Sequence, residues 1–216
     1  MNIIANINVE LQKSKEELEK AYLDSIQILR YTVEAKDKYT KGHSDRVSEY
    51  SALIGEELGI PHEDLKKLRI GGLLHDIGKI GVPDSILLKT DRLTDEEYSE
   101  IKNHPSIGKH ILSSAALFED IIPIVYHHHE RYDGHGYPGK LAGENIPLLA
   151  RITAVADTLD AMTSNRSYRN ALSFEDAKNE IIKCSGSQFD PQVVDAFLRV
   201  FKNRYNELMN IPIKFS

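Results

Sequence analysis

The chain has 216 residues and a formal net charge of −6. That length suits one domain with one sizeable core, and the acidic balance excludes a broad nucleic-acid surface, which needs clustered Lys and Arg. A lone cysteine, Cys184, excludes an internal disulfide and any thiolate-rich metal site, and it makes a reducing cytoplasm the expected setting. No apolar run reaches the length of a membrane span, and the N-terminal residues lack the basic region and long apolar stretch of a signal peptide.

The pattern predicts an all-α protein, because strand-type alternation is scarce and turn clusters are separated by helix-length segments. Residues 6–38 hold no Gly or Pro and read as one long helix. Ile4, Leu11 and Leu18 are seven apart, and Ile7, Ala21 and Ile28 follow the same spacing with Ser14 between them. This imperfect heptad fits a coiled-coil dimer or signalling helix. It fits equally well an amphipathic helix lying on its own domain. From Tyr22 the stripe becomes Ile26, Leu29 and Val33, which is expected to pack on the core. Residues 1–36 therefore read as an N-terminal helix, and 37–216 as the domain proper.

A second helix is predicted after Gly42 as far as Leu58, and a third over 63–75, opened by Pro61. Residues 78–93 read as a loop broken by Gly81 and Pro83. Thr94 and Glu97 form a capping-box start for a helix to about His104, and Pro105 opens another through Ser113. One helix is expected over 118–129. Residues 133–147 carry four Gly and two Pro and read as an ordered loop or lid. Helices over 148–162, 174–184 and 191–205 complete the bundle.

Seven side chains in short, separate signatures are candidates for one metal cluster: His43, His75, Asp76, His104, His128, His129 and Asp157. Imidazole nitrogen and carboxylate oxygen suit divalent transition metals, and an aspartate can bridge two cations. The adjacent His75-Asp76 can reach one ion or two neighbouring ions, although the dipeptide alone is a weak signal. Asp157 and Asp160 share one face of an apolar helix, where a carboxylate must be paired or bind metal. A salt bridge to Arg166 or Arg169 is the alternative. Three histidines in a row, 127–129, cannot all face one site from a helix, but two neighbours can. His62, His110 and His135 read as ordinary surface or core histidines.

The order of these residues resembles the HD phosphohydrolase superfamily. The added His104, the His128-His-Glu triplet and the segment Asp133-Gly-His-Gly-Tyr-Pro138 resemble the HD-GYP family specifically. The resemblance runs from about Asp37 to Phe197. It is strongest in Tyr39-Thr-Lys-Gly-His-Ser-Asp-Arg-Val47, Leu74-His-Asp-Ile-Gly-Lys-Ile-Gly-Val-Pro-Asp84 and Ala156-Asp-Thr-Leu-Asp-Ala-Met-Thr-Ser-Asn-Arg-Ser-Tyr-Arg169. It implies an HD-type helical bundle and a cyclic di-GMP phosphodiesterase that yields linear pGpG and, in many members, GMP. It also implies that the seven residues above ligate two divalent ions, with Asp76 as bridge. Iron or manganese suits such a site, with nickel, zinc or magnesium as alternatives. By the same match Lys79 contacts the scissile phosphate and acts with Asp76 in catalysis. Asp160, Arg166 and Arg169 hold the substrate, and Gly136, Tyr137 and Pro138 form the lid or partner loop.

The chemistry agrees with these assignments. A phosphodiester is anionic and resists hydroxide, and two cations can bind its oxygens and acidify water together. Lysine can stabilise charge gathering on phosphate, and arginine forks suit phosphate or a guanine edge. One departure matters. Some members hold a third metal through a glutamate four residues before the first histidine, and here that position is Tyr39. Two metals and a reaction that stops mostly at pGpG are therefore expected. His135 and Thr90-Asp91 also depart from the usual pattern, away from the ligands. The competing readings are an HD-type nucleotide phosphohydrolase, a catalytically silent cyclic-dinucleotide sensor and a purely structural signalling module. An upstream sensory domain or signalling protein acting through the N-terminal helix, and a second copy of the chain, are the expected partners besides cyclic di-GMP.

Overall fold

The computed structural model describes residues 2–37, 42–165 and 170–211. Among them the fold is all helical, and the only strand-like pairing is a single bridge between Ser185 and Phe189. Tyr39, Arg166 and Arg169 lie outside the described residues.

Helix α1 spans Asn2–Lys36, consistent with a segment free of Gly and Pro. Its N-terminal part is exposed through residue 21, side chains 2, 3 and 5 aside. From Tyr22 it packs on the domain. Ile26 and Val33 are buried with Leu74, Ile77, Leu112, Phe118, Ile121 and Val125, and Tyr22 and Leu29 flank them. A second apolar cluster is built from α2 (His43–Leu58), α3 (His62–Leu74), α8 (Leu148–Thr163), α9 (Phe174–Lys183) and α10 (Pro191–Asn203). Close approach of α2 and α3 depends on Gly72, whose added Cβ would lie 2.7 Å from the Ser48 Cα.

Several boundaries follow local chemistry. Gly42 and Gly59 bracket α2 in the left-handed region, at φ 72° and 71°. Thr94 forms the predicted capping box at the start of α5 (Asp95–Lys102): Glu97 N donates to the Thr94 hydroxyl at 3.3 Å, and Thr94 N to Glu97 Oε2 at 2.8 Å. Asp190 caps α10 by accepting from Gln192 N at 2.8 Å.

Three expectations need correction. The segment 78–93 is not only loop, because Ile77–Gly81 forms a 3-10 turn and Asp84–Leu87 a short helix, α4. The single helix expected over 118–129 is a 3-10 turn, Ala116–Ile121, followed by α7, Ile122–His127. Pro123 has no N–H to donate, so it suits the first turn of a new helix and not the interior of a longer one. The last helix ends at Asn203, and α11 (Tyr205–Met209) follows. His104 belongs to α6, His104–Leu112, at its first position.

Candidate metal centre

All seven candidate ligands come together. His43 opens α2, His75 and Asp76 follow α3, His104 starts α6, His128 and His129 follow α7, and Asp157 lies midway along α8. They fall in two groups, Asp76 with His104, His128 and His129, and His43 with His75 and Asp157. Within each group, one ligand atom from every residue lies within 4.8 Å of the others. Asp76 joins the two groups. Its Oδ1 is 3.3 Å from His104 Nε2, and its Oδ2 is 3.7 Å from His43 Nε2 and 3.5 Å from His75 Nε2.

One local device aims three of the imidazoles. His75 Nδ1 donates to Gly72 O at 2.7 Å, His104 Nδ1 to Ile101 O at 2.7 Å, and His128 Nδ1 to Val125 O at 2.8 Å. Each partner is the carbonyl three residues back, at the C-terminal end of a helix where carbonyls lack an intrahelical donor. A carbonyl only accepts, so the proton sits on Nδ1 and the Nε2 lone pair points inward. His43 is oriented instead by Asp160, whose Oδ2 is 2.7 Å from its Nδ1.

This arrangement fits a divalent metal centre. His43 Nε2 and His75 Nε2 are 3.2 Å apart, and His104 Nε2 and His128 Nε2 are 3.3 Å apart. With Nδ1 protonated and both rings neutral, lone pairs face each other across the His104–His128 gap and repel, and a cation there would remove the conflict. The fixed Nδ1 partners are the outer shell that ligating histidines require.

The site is electrostatically divided. Burial lowers the pKa of His104 and, with His129 and His75 adding to it, lowers that of His128 well below 6.5. His129 falls to about 3, again chiefly through burial, with His104 next. These rings stay neutral, as ligands must. Burial opposes the charge on His43, but its bond to Asp160 together with the negative charges of Asp160, Asp157 and Asp76 outweighs that and raises its pKa. Burial also opposes ionised Asp76, yet Lys79 and the surrounding histidines hold its pKa well down. Lys79 Nζ lies 2.8 Å from Asp76 Oδ2 and 3.2 Å from Asp37 Oδ2. The two carboxylates overcome the cost of burial and keep the lysine an ammonium.

Asp160, expected to hold substrate, faces the back of His43 in this fold. It is 1% exposed, and its carboxylate is taken up by His43, Arg46 and the Ser164 hydroxyl. Arg46 lies nearly one turn after His43 on α2, so both side chains reach α8 together. The residue that neutralises Asp160 is thus Arg46, which the sequence reading had passed over. Asp37 and the buried Arg30–Asp45 pair were missed as well, and Glu130, part of the His128-His-Glu triplet, had been given no role of its own. The signal available for Arg46 and Asp45 was two adjacent charges in a helix that otherwise presents small and apolar residues to the core. His62, His110 and His135 are exposed, as expected.

The glycine-rich loop is an ordered wall. Glu130, buried, accepts from Gly139 N at 2.6 Å and Leu141 N at 3.1 Å. Tyr137 N donates to His129 O at 3.2 Å, and the Tyr137 ring stacks on His129 with centroids 4.9 Å apart. Gly136 passes against the backbone of Glu130 and Arg131 where a Cβ would collide. The Tyr137–Pro138 peptide is cis.

A helical bundle in which an adjacent His-Asp pair joins two inward-facing His/Asp clusters defines a class of metal-centre protein. The HD domain profile matches residues 27–193, and the chain belongs to the HD domain family. It is 39% identical over 196 residues to the cyclic di-GMP phosphodiesterase response regulator RpfG of Xanthomonas campestris pv. campestris, covering 90% of this chain and 52% of that protein. It is 41% identical over 198 residues to a cyclic di-GMP phosphodiesterase of Thermotoga maritima, covering 89% and 54% respectively. The chain thus spans about half the length of these curated relatives. Among solved structures it is similar to Bd1817, a HDG"Y"P protein from Bdellovibrio bacteriovorus, with a TM-score of 0.65 and 21% identity over 88% of this chain and 64% of that one. That likeness concerns the fold. The matches agree with the HD-GYP character of the motifs. No helix among the described residues is long and apolar enough to cross a membrane.

Proposed function

We propose that the chain is a metal-dependent phosphodiesterase that opens cyclic di-GMP to linear pGpG. The observation that carries this is the division of Asp76, one oxygen toward His104 and the other toward His43 and His75. It supports two ions with Asp76 between them. His43, His75 and Asp157 would hold one, and His104, His128 and His129 the other. The all-N/O donor set suits iron or manganese. When bound, the ions would offer positive charge to the phosphate oxygens and lower the pKa of water at the site.

The chain's own residues supply the rest. Lys79, held cationic between Asp37 and Asp76, stands beside the bridge and stabilises charge gathering on the phosphate. The Nδ1 partners keep the imidazole protons away from the centre. Arg166 and Arg169 grip phosphate or guanine. Tyr137, stacked on His129, closes one wall. A second copy of the chain pairs along the free part of α1, where Ile4, Leu11 and Leu18 are 70%, 67% and 72% exposed at heptad spacing. A signalling partner would act through the same helix.

The test is turnover of cyclic di-GMP by purified, metal-replete protein, with products resolved by chromatography and metals counted by elemental analysis. The natural protein should release pGpG, and Asp76→Ala should lose both turnover and metal. A metal-loaded protein that binds the dinucleotide without cleaving it would make the chain a sensor. An Asp76→Ala variant with normal rate and metal content would remove the bridge.

A further inference from the structure

Beside His128, His129 and Asp157 opens a small polar recess of about 50 Å³, whose other wall includes Arg131, Thr158 and Gln188. It holds the edge of a ring and not a whole nucleotide. None of these three residues has a part in the metal centre, and the recess shares its wall.

The hydrogen-bonding character of the recess is fixed by Arg131. Its Nε and Nη2 donate to the Asp133 carboxylate at 3.1 and 2.6 Å, and its Nη1 to Gln188 Oε1 at 3.4 Å. A guanidinium cannot accept, so the Gln188 amide must turn its oxygen to Arg131 and its NH₂ away. Two carboxylates also line the recess, but Glu130 is taken up by Gly139 N and Leu141 N, and Asp157 turns its Oδ1 toward His43 and His75. What remains is donor-rich: the Gln188 amide N–H groups, a further N–H of Arg131, and the Thr158 hydroxyl, which adapts. The donors are also held in place. Tyr132 N donates to Gln188 O at 3.1 Å and Asp133 N to Ser187 O at 2.8 Å, fastening 132–133 to 187–188, while Gln188 N donates to Cys184 O at 3.0 Å. Such backbone bracing is what a recognition site needs.

A donor pair discriminates between purines. The outer edge of guanine presents two acceptors, N7 and O6, whereas adenine presents N7 and the N6 amino donor. Donors in the recess match the first edge and oppose the second. We propose that Arg131 and Gln188, with Thr158, form a guanine-reading subsite next to the metal cluster, so that the protein selects guanine over adenine in its cyclic dinucleotide. This inference rests on the phosphodiesterase reading given above.

The test is Gln188→Glu in the full, metal-loaded chain. The change nearly preserves shape, keeps an oxygen for Arg131, and replaces the donor with an acceptor that suits the adenine N6 amino group. The natural protein should cleave cyclic di-GMP faster than cyclic di-AMP. The variant should lose about tenfold or more in kcat/KM on cyclic di-GMP while holding or gaining on cyclic di-AMP, with metal content unchanged. Equal losses on both substrates would mean a phosphate or sugar contact, and no change on either would mean the recess is not used. Both results overturn the proposal. If neither dinucleotide is cleaved, the function reading itself fails. The preference for GMP over AMP, measured by calorimetry on the metal-loaded natural protein and Gln188→Glu, then still decides the subsite. A guanine preference lost in the variant supports it, and equal binding of the two nucleotides refutes it.

Discussion

Arg30 has no exposed side-chain surface and is paired with Asp45, itself 5% exposed, two residues after His43. This pair ties α1 to the helix that starts the metal site. Asp45→Ala removes the carboxylate and leaves a guanidinium buried with Glu34, whose Oε2 is 4.0 Å away. Removing one partner of a buried pair typically costs about 3–5 kcal/mol, because the other charge stays out of water. For a domain of this size each kcal/mol lowers the melting temperature by roughly 2–4 °C, so a drop of about 6–20 °C is expected. The assay is thermal unfolding of the metal-free chain followed by far-UV circular dichroism. Arg30→Met combined with Asp45→Leu should recover much of the loss, since an apolar pair of similar volume avoids desolvation altogether. A melting point for Asp45→Ala within about 2 °C of the natural protein would refute the idea that this pair fastens α1.

Four further outcomes are expected. Asp160→Asn, which weakens the hold on His43 Nδ1, should reduce metal affinity by about tenfold to a hundredfold; retention of metal against a chelator measures it, and unchanged retention would count against an orienting role. Stripped of metal, the protein should lose stability as pH falls from 6.5 toward 3. Over that range His104, His128 and His129 take up protons in the unfolded chain before the folded one. Asp76, with its depressed pKa, acts in the same direction at the acid end, whereas His43, with its raised pKa, contributes stability at low pH that is lost as pH rises; a flat melting profile would contradict this balance. Arg166→Ala or Arg169→Ala should weaken substrate binding roughly tenfold to a hundredfold with metals retained, and unchanged kinetics in both would assign these arginines to structure. Tyr39→Glu, which adds a charged oxygen four residues before His43, should raise the metal count toward three and speed conversion of pGpG to GMP; three ions already present in the natural protein would end that idea.

The sequence by itself determined the helical class, the run of α1, the capping box at Thr94 and the identity of all seven candidate ligands. These are local properties, set by residue type and spacing, and the candidate ligands sit in motifs too long to arise by chance. Where a proline or a short 3-10 turn divides an apolar stretch, as at Pro123, the one-dimensional pattern was too coarse to find the break. Only the tertiary structure decided which oxygen of Asp76 faces which cluster, because that depends on three separate helix ends meeting. It alone showed Asp160 behind His43 and paired with Arg46, which lies 114 residues away in the chain. The Asp37–Lys79 and Arg30–Asp45 pairs, and the donor recess at Arg131 and Gln188, were hidden for the same reason: each joins groups distant in sequence, and an ion pair or shared amide has no periodicity to announce it.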